Sequence, residues 1–205
     1  MRMRKKKHGA ERIAACSDIL IRSADDIPFE APYELEIGCG KGSFIVELAR
    51  RNPDRNYIAV EKISDVILLA MEKAKAAELT NVRFLIGDAG TLTEVFKKGD
   101  ISRIYLNFSD PWPKAGYAKR RLTHRGFLEK YKSILTDDGE IHFKTDNRVL
   151  FDFSLEEFEA CGFALRNVTN DLHNSPYNEG NIVTEYETNF SAKGFTINRV
   201  EAYLK

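Results

Sequence analysis

The sequence predicts an α/β domain, a mostly parallel and doubly wound sheet, and three observations lead to it. A short apolar run at residues 33–37 meets three glycines at alternate positions, Gly38, Gly40 and Gly42. An amphipathic helix follows at once, with Phe44, Ile45, Leu48 and Ala49 on one face. Apolar runs of strand length then alternate with helical periodicity along the rest of the chain. Several of these runs end in an acidic residue, at the strand ends where a doubly wound sheet opens its binding crevice.

Length and charge narrow the classes. At 205 residues the chain is long enough for one domain with a full core. No stretch approaches the roughly 20 apolar residues of a membrane span. The charged start of the chain has no apolar segment behind it, so a cytoplasmic setting without a secretion signal is expected. Cys16, Cys39 and Cys161 are too widely spaced for a disulfide framework or a zinc site, and no metal is implied. The 31 basic residues balance 31 acidic ones, but unevenly. Residues 1–12 hold six Lys and Arg against one acid, and residues 108–127 hold five against one. Segregated positive charge of this kind binds phosphate.

In chain order, residues 1–9 form a basic N-terminal arm, either an RNA contact or a solubilising tail, and residues 10–205 form the domain. Ile13, Cys16 and Leu20 recur at helical spacing and predict a helix over 10–22. The first strand, 33–37, enters the glycine turn, where a sharp bend and a ligand lying against bare backbone both call for glycine. A dinucleotide fingerprint would read G-x-G-x-x-G. Here the third glycine comes one residue early, and Glu36 stands two residues before the first. A carboxylate at that strand end repels a pyrophosphate and suits a cation. The turn therefore reads as a site for S-adenosylmethionine, which carries a sulfonium and an ammonium and no phosphate.

The second strand, 56–61, ends in Glu61, about 20 residues beyond the glycines and placed to hold two ribose hydroxyls. A helix with Val66, Ile67, Ala70, Met71 and Ala74 on one face leads to the third strand, 82–86. Asp88 beyond it is placed to accept a hydrogen bond from an adenine amino group, with Ala89 packed on the ring. The alternative is that Asp88 merely caps the next helix, where Asp is a favoured residue. The fourth strand, 101–107, runs into Phe108-Ser109-Asp110-Pro111-Trp112-Pro113-Lys114, which holds the chain's one tryptophan and two stiffening prolines. This segment resembles the Asp/Asn-Pro-Pro-aromatic loop of methyltransferases acting on exocyclic base nitrogens. It has one proline between acid and aromatic instead of two, so an adenine amino target does not follow. Lys114, Lys119, Arg120, Arg121 and Arg125 come next and read as a track for an RNA backbone.

A helix carrying Phe127, Leu128 and Tyr131 then reaches a turn at 137–139, and the fifth strand is 140–145, with His142 packed inside it. Helix 148–160, a sixth strand at 163–168 and a long irregular stretch over 169–183 follow. Thr184 and Glu187 form the pattern of a capping box. The last apolar positions, Phe195 and Ile197, then Val200, Ala202 and Leu204, change parity, which predicts a bulge or a turn between two strands.

Five motifs together resemble one family. They are Glu-Ile-Gly-Cys-Gly-Lys-Gly at 36–42, Asn-Phe-Ser-Asp-Pro-Trp-Pro-Lys at 107–114, Lys-Arg-Arg-Leu at 119–122, Phe-Lys-Thr-Asp-Asn at 143–147 and Thr-Glu-Tyr-Glu at 184–187. In this order and over most of the chain, they resemble the bacterial tRNA (guanine-N7-)-methyltransferases. The resemblance implies a Rossmann-like methyltransferase fold with a seven-stranded sheet whose C-terminal strand is antiparallel. It implies methyl transfer from S-adenosylmethionine to N7 of a guanine in the variable loop of tRNA. By the same resemblance Glu36, Glu61, Asp88 and Asp110 contact the donor or lie in the active site. Lys114, Asp146, Thr184, Glu185, Tyr186 and Glu187 are then expected to face the RNA.

Chemistry accommodates that expectation. Guanine N7 presents an in-plane lone pair and no proton, so the barrier is mostly one of positioning. Asp110 is the candidate catalytic residue, set to hold the guanine N1–H edge as the ring becomes cationic. Phe108 or Trp112 would stack on the base. Alternatives are a methyltransferase acting on another base or RNA, and an RNA-binding module with an inactive donor site. An NAD-dependent dehydrogenase is disfavoured by Glu36 and by the glycine spacing.

Overall fold

A computed structural model describes residues 8–205; most of the basic arm, residues 1–7, lies outside the described residues. The chain opens with α1 (Gly9–Ala14) and β1 (Leu20–Ile21), then β2 (Tyr33–Ile37), α2 (Ser43–Arg51), β3 (Tyr57–Glu61) and α3 (Ser64–Ala76). Next come β4 (Val82–Ile86), the short α4 (Leu92–Val95) and β5 (Ile101–Asn107). The second half contributes α5 (Arg125–Lys132), β6 (Leu135–Thr145), α6 (Arg148–Ala160), β7 (Ala164–Thr169), α7 (Glu185–Ser191) and β8 (Asn198–Tyr203).

The strands form one sheet in the order β1-β4-β3-β2-β5-β6-β8-β7. Every pairing from β1 to β6 is parallel, and β8 runs antiparallel between β6 and β7. Two apolar layers flank the sheet. Ile45, Ile67, Leu68 and Met71 of α2 and α3 pack on one face, and Leu128, Tyr131, Leu150, Phe151 and Phe158 of α5 and α6 on the other. The strand order reverses between β2 and β5, so the glycine turn and the Phe108 loop face each other across the switch point.

Three expectations change. The helix over 10–22 stops at Ala14, and Leu20–Ile21 pair in parallel with Phe84–Leu85, giving eight strands among the described residues instead of seven. The outer edge of β4 offers unpaired backbone groups, and Ile19 already accepts the Phe84 amide at 2.9 Å; that pairing outweighs the helical spacing. The fifth strand begins earlier than expected, at Leu135, because residues around 137–139 bulge within it, and the register against β5 jumps between Leu135 and Glu140. The parity slip near the C-terminus marks where β8 begins. Phe195 stays outside the strand and half exposed, while Val200 and Ala202 are buried.

Gly42 fixes how closely α2 approaches α3. It has φ +77° and caps α2, and a Cβ there would lie 2.5 Å from the Ala70 Cβ. Gly42→Ala is expected to cost about 2–4 kcal/mol from backbone strain and overlap together, lowering Tm by roughly 5–15 °C. Gly40→Ala, whose Cβ would meet nothing within 4 Å, should cost only the backbone strain of about 1–2 kcal/mol. Thermal unfolding of both variants checks the order.

Candidate active site

The end of β2 turns through Gly38 (φ +78°), Gly40 (φ +56°) and Gly42, a run of left-handed residues that only glycine adopts cheaply. Glu61 at the end of β3 braces this turn. Its carboxylate accepts the Gly40 amide at 3.2 Å and the Ile63 amide at 3.0 Å. Asp88 after β4 does two things at once. One oxygen caps the following turn by accepting the Gly90 amide at 2.8 Å, and the other pairs with Lys62 at 2.8 Å. Lys62 and the Gly90 amide hold the Asp88 carboxyl below its ordinary range. The capping role is thus seen directly, and Asp88 also lines a cavity of about 420 Å³ with Gly38, Glu61, Ala89, Phe108 and Asp110.

Glu36 lies deeper, 2% exposed. One oxygen accepts from Asn107 Nδ2 at 3.0 Å, while Oε2 is buried with no hydrogen-bond partner. Burial pushes its pKa up to about 7. A second cavity, about 370 Å³, is lined by Glu36, Gly38, Gly40, Phe108, Thr184 and Tyr186, and adjoins the first along Gly38, Asn107 and Phe108. A buried carboxylate oxygen without a donor, beside bare glycine backbone, suits an ammonium group and opposes a phosphate. The residues present therefore fit S-adenosylmethionine.

The loop after β5 faces this crevice under strain. Phe108 (φ +54°) and Trp112 (φ +40°) are left-handed without being glycine, at a cost of about 1–2 kcal/mol each. Arg121 secures the loop from beneath. Its guanidinium is buried against the Phe153 ring at 4.3 Å and donates to the Pro111 and Trp112 carbonyls at 3.0 and 3.1 Å. The Phe108 amide donates to the Lys144 carbonyl at 2.9 Å. Asp110 is thereby presented, exposed, at the cavity rim. The proposed basic track is correspondingly shorter. Arg121 is spent on the loop, while Arg125, though paired with Glu157 at 2.6 Å, stays exposed like Lys114, Lys119 and Arg120. Arg120 covers Trp112 and Tyr117 at 4.9 and 4.8 Å.

The Thr184–Glu187 segment divides by direction. Thr184 and Glu187 form the capping box of α7, with the Thr184 hydroxyl accepting the Glu187 amide at 3.0 Å. Tyr186 stands over the crevice, its ring 5.0 Å from Phe108, and its hydroxyl is raised by burial and by Asp146 and Asp110 nearby. Glu185 reaches back to Lys41, Lys73 and Ser43 at 3.1, 3.2 and 3.2 Å. Glu187, expected to face the RNA, is instead fully buried. It accepts from Lys144 at 2.9 Å, Asn181 at 2.9 Å and His173 at 2.7 Å, because Lys144 is itself buried inside β6 and requires a counter-charge. Lys144 also donates to Asn181 Oδ1 at 2.9 Å and to the Ile182 carbonyl at 3.0 Å. Lys144 has no assigned role in the sequence motif at 143–147; a charged residue within a predicted buried strand is the signal that marks it.

Among the described residues one further set has ligand-like geometry, Glu140, His142 and Glu201. Its carboxylates are taken by Arg103 at 3.4 Å, Arg166 at 2.6 and 2.8 Å, and Arg199. It is an ion-pair cluster that a cation would have to break. Among the described residues no helix is long and apolar enough to cross a membrane.

Lys144→Met would leave Glu187 buried without its cation and is expected to cost about 3–5 kcal/mol. Lys144→Met/Glu187→Gln, which removes the stranded charge, should recover at least half of that loss in denaturant unfolding.

Comparison with known proteins agrees with this geometry. Residues 30–200 match the family model described as "Putative methyltransferase". A tRNA (guanine-N(7)-)-methyltransferase of Clostridioides difficile is 48% identical over 211 residues, covering 98% of each chain. That of Bacillus subtilis is 48% identical over 209 residues, again covering 98% of each. Among solved structures, the 16S rRNA methyltransferase KamB superimposes with a TM-score of 0.63 over 85% of this chain and 88% of its own. At 13% identity it bears on the fold alone. With both the whole-chain identity and the family model in agreement, the chain belongs to the bacterial tRNA (guanine-N7-)-methyltransferase family.

Proposed function

We propose that this chain transfers the methyl group of S-adenosylmethionine to N7 of a guanine in tRNA, at a position in the variable loop. The observation that carries the donor side is Glu36, which lines the crevice beside the glycine turn and keeps one buried carboxylate oxygen without a hydrogen-bond partner. Glu61, Asp88 and Ala89 line the neighbouring cavity, where ribose hydroxyls and an adenine amino group would find acceptors. Bound there, the donor supplies a sulfonium methyl that N7 takes by in-line displacement. An RNA substrate of this class goes with a cytoplasmic enzyme.

The chain's own part is positioning. Phe108 and Tyr186 wall the crevice where a purine would enter. Asp110, projected by the strained loop, accepts from the guanine N1–H edge and offsets the positive charge that develops on the ring. Lys114, Lys119 and Arg120 lie just beyond and meet the RNA backbone. Asp146, near Tyr186, completes the substrate side in this reading, while Glu185, held by Lys41 and Lys73, braces α7 from the donor side. The arm over residues 1–9 adds further phosphate contacts.

Incubation with tritiated S-adenosylmethionine and unmodified tRNA should place label in 7-methylguanosine; label in another nucleoside would reassign the target. Asp110→Asn should keep donor affinity within about twofold and lower kcat by roughly a hundredfold or more. Wild-type turnover in that variant would remove Asp110 from the mechanism.

Donor binding should also follow pH. The Glu36 carboxyl titrates near 7 in the donor-free protein, and a cation binds its ionised form. Affinity should rise with pH through about 7, level off above it, and fall nearly tenfold per unit below about 6. The same raised pKa means the donor-free fold loses stability as pH climbs from 4.5 to about 7, by on the order of 3 kcal/mol. Titration calorimetry across pH, with Glu36→Gln flattening the profile, checks the assignment.

A further inference from the structure

Aromatic rings continue outward from the crevice past anything the methyl donor needs. The Phe108 and Tyr186 centroids are 5.0 Å apart, Tyr186 and Phe190 stack at 4.1 Å and 14°, and Phe190 and Phe195 lie 5.6 Å apart. The Lys193 ammonium sits 4.9 Å over the Phe190 ring. Tyr186 is 42% exposed and Phe195 51%. A Tyr and Phe pair at i and i+4 stabilises a short helix by itself. That accounts for Tyr186 and Phe190 but not for Phe195, which lies beyond α7 and holds half its surface in water.

The reaction supplies a use for such a ladder. N7 reaches the crevice only if the guanine leaves its own base stack, and each neighbouring nucleotide then loses a stacking partner. Aromatic side chains replace that partner without regard to base identity, and a nearby cation holds the backbone. The ladder is continuous with the crevice through Phe108. The cation at the ladder itself is the exposed Lys193, over the Phe190 ring. A polyanion with unpaired bases fits this combination of rings and cation.

We propose that Phe190 and Phe195, with Lys193 beside them, form a stacking surface for the unpaired nucleotides flanking the target guanine of tRNA. The proposal rests on the tRNA methylation reading and extends it to a surface outside the donor site. Phe195→Ala is the sensitive variant, because an exposed ring can be removed without disturbing the core.

The experiment measures tRNA binding to wild type, Phe195→Ala, Phe195→Trp and Lys193→Gln over a range of salt, with S-adenosylhomocysteine affinity and Tm as controls. Phe195→Ala should bind tRNA about 5- to 30-fold more weakly, with an unchanged salt slope and unchanged donor-site affinity. Lys193→Gln should reduce the salt slope by about one. Phe195→Trp should retain the affinity, and the added indole emission should be quenched by tRNA. A fully paired RNA duplex of similar length should not distinguish Phe195→Ala from wild type. Wild-type tRNA affinity in Phe195→Ala, or an equal loss on the duplex, would overturn the stacking surface. Formation of 7-methylguanosine by the wild type, assayed in parallel, tests the underlying reading separately.

Discussion

The ion pair between Lys144 and Glu187 is the constraint on which the substrate side of the molecule depends. A lysine in the middle of a buried parallel strand is tolerated only with a counter-charge and a full set of acceptors. Here Glu187, Asn181 and the Ile182 carbonyl supply them, and all three come from the segment between β7 and β8. Satisfying one buried ammonium therefore draws a long irregular stretch back onto the sheet, anchored further by Leu172 and Ile182 in the core. It also sets where α7 starts, because Glu187 belongs at once to the ion pair and to the capping box. With α7 fixed, Tyr186 has one place to go, over Phe108. The pair is better understood as specifying an arrangement than as adding stability, since desolvating two charges offsets most of what their attraction contributes.

The same economy governs the loop after β5. Two left-handed non-glycine residues within five positions store strain that no local interaction relieves. Arg121 holds the Trp112 end and gives up its place on the surface to do so, while the Lys144 carbonyl holds the Phe108 end. The result is a rigid presentation of Asp110, flanked by Phe108 and Trp112, at the open end of the crevice. For a reaction whose nucleophile needs no deprotonation, rigid placement is the main thing a protein can contribute.

How much of this was legible follows physical lines. The glycine turn, the acidic strand ends and the alternation of strands and helices depend on local periodicity and on residues whose conformational needs are their own, so they are visible in one dimension. The Phe108–Lys114 segment is legible for the same reason, since tryptophan, paired prolines and an acid in one loop have few other uses. The early end of α1 was not legible: Leu20 and Ile21 satisfy helical spacing equally well, and only the free edge of β4, more than sixty residues away, decides between them. Glu187 was misread because a carboxylate beside a basic region looks solvent-facing until its partner is known, and Lys144 lies 43 positions earlier. Arg121 was misread likewise, as charge density along the chain says nothing of which guanidinium turns inward. Sequence shows what a residue requires; long-range pairing shows which requirement is met by what.

These pieces converge on α7, which is attached to both halves of the site. Through Glu185 it is tied to Lys41 in the glycine turn, to Ser43 at the start of α2 and to Lys73 on α3. Through Glu187 it is tied to β6, and through Tyr186 to the loop that carries Asp110. Its seven residues would not hold a helix alone in water, so its conformation is lent to it by those three attachments. One of them lies on the donor side and two on the substrate side. A helix stabilised only by contacts on both sides of the crevice keeps the two half-sites in register, and in-line methyl transfer requires that register above all. The acidic character of the Thr184–Glu187 segment, odd beside an RNA site, is explained by the same fact: its carboxylates are directed at lysines of the protein, and the aromatic residue between them is left to meet the substrate.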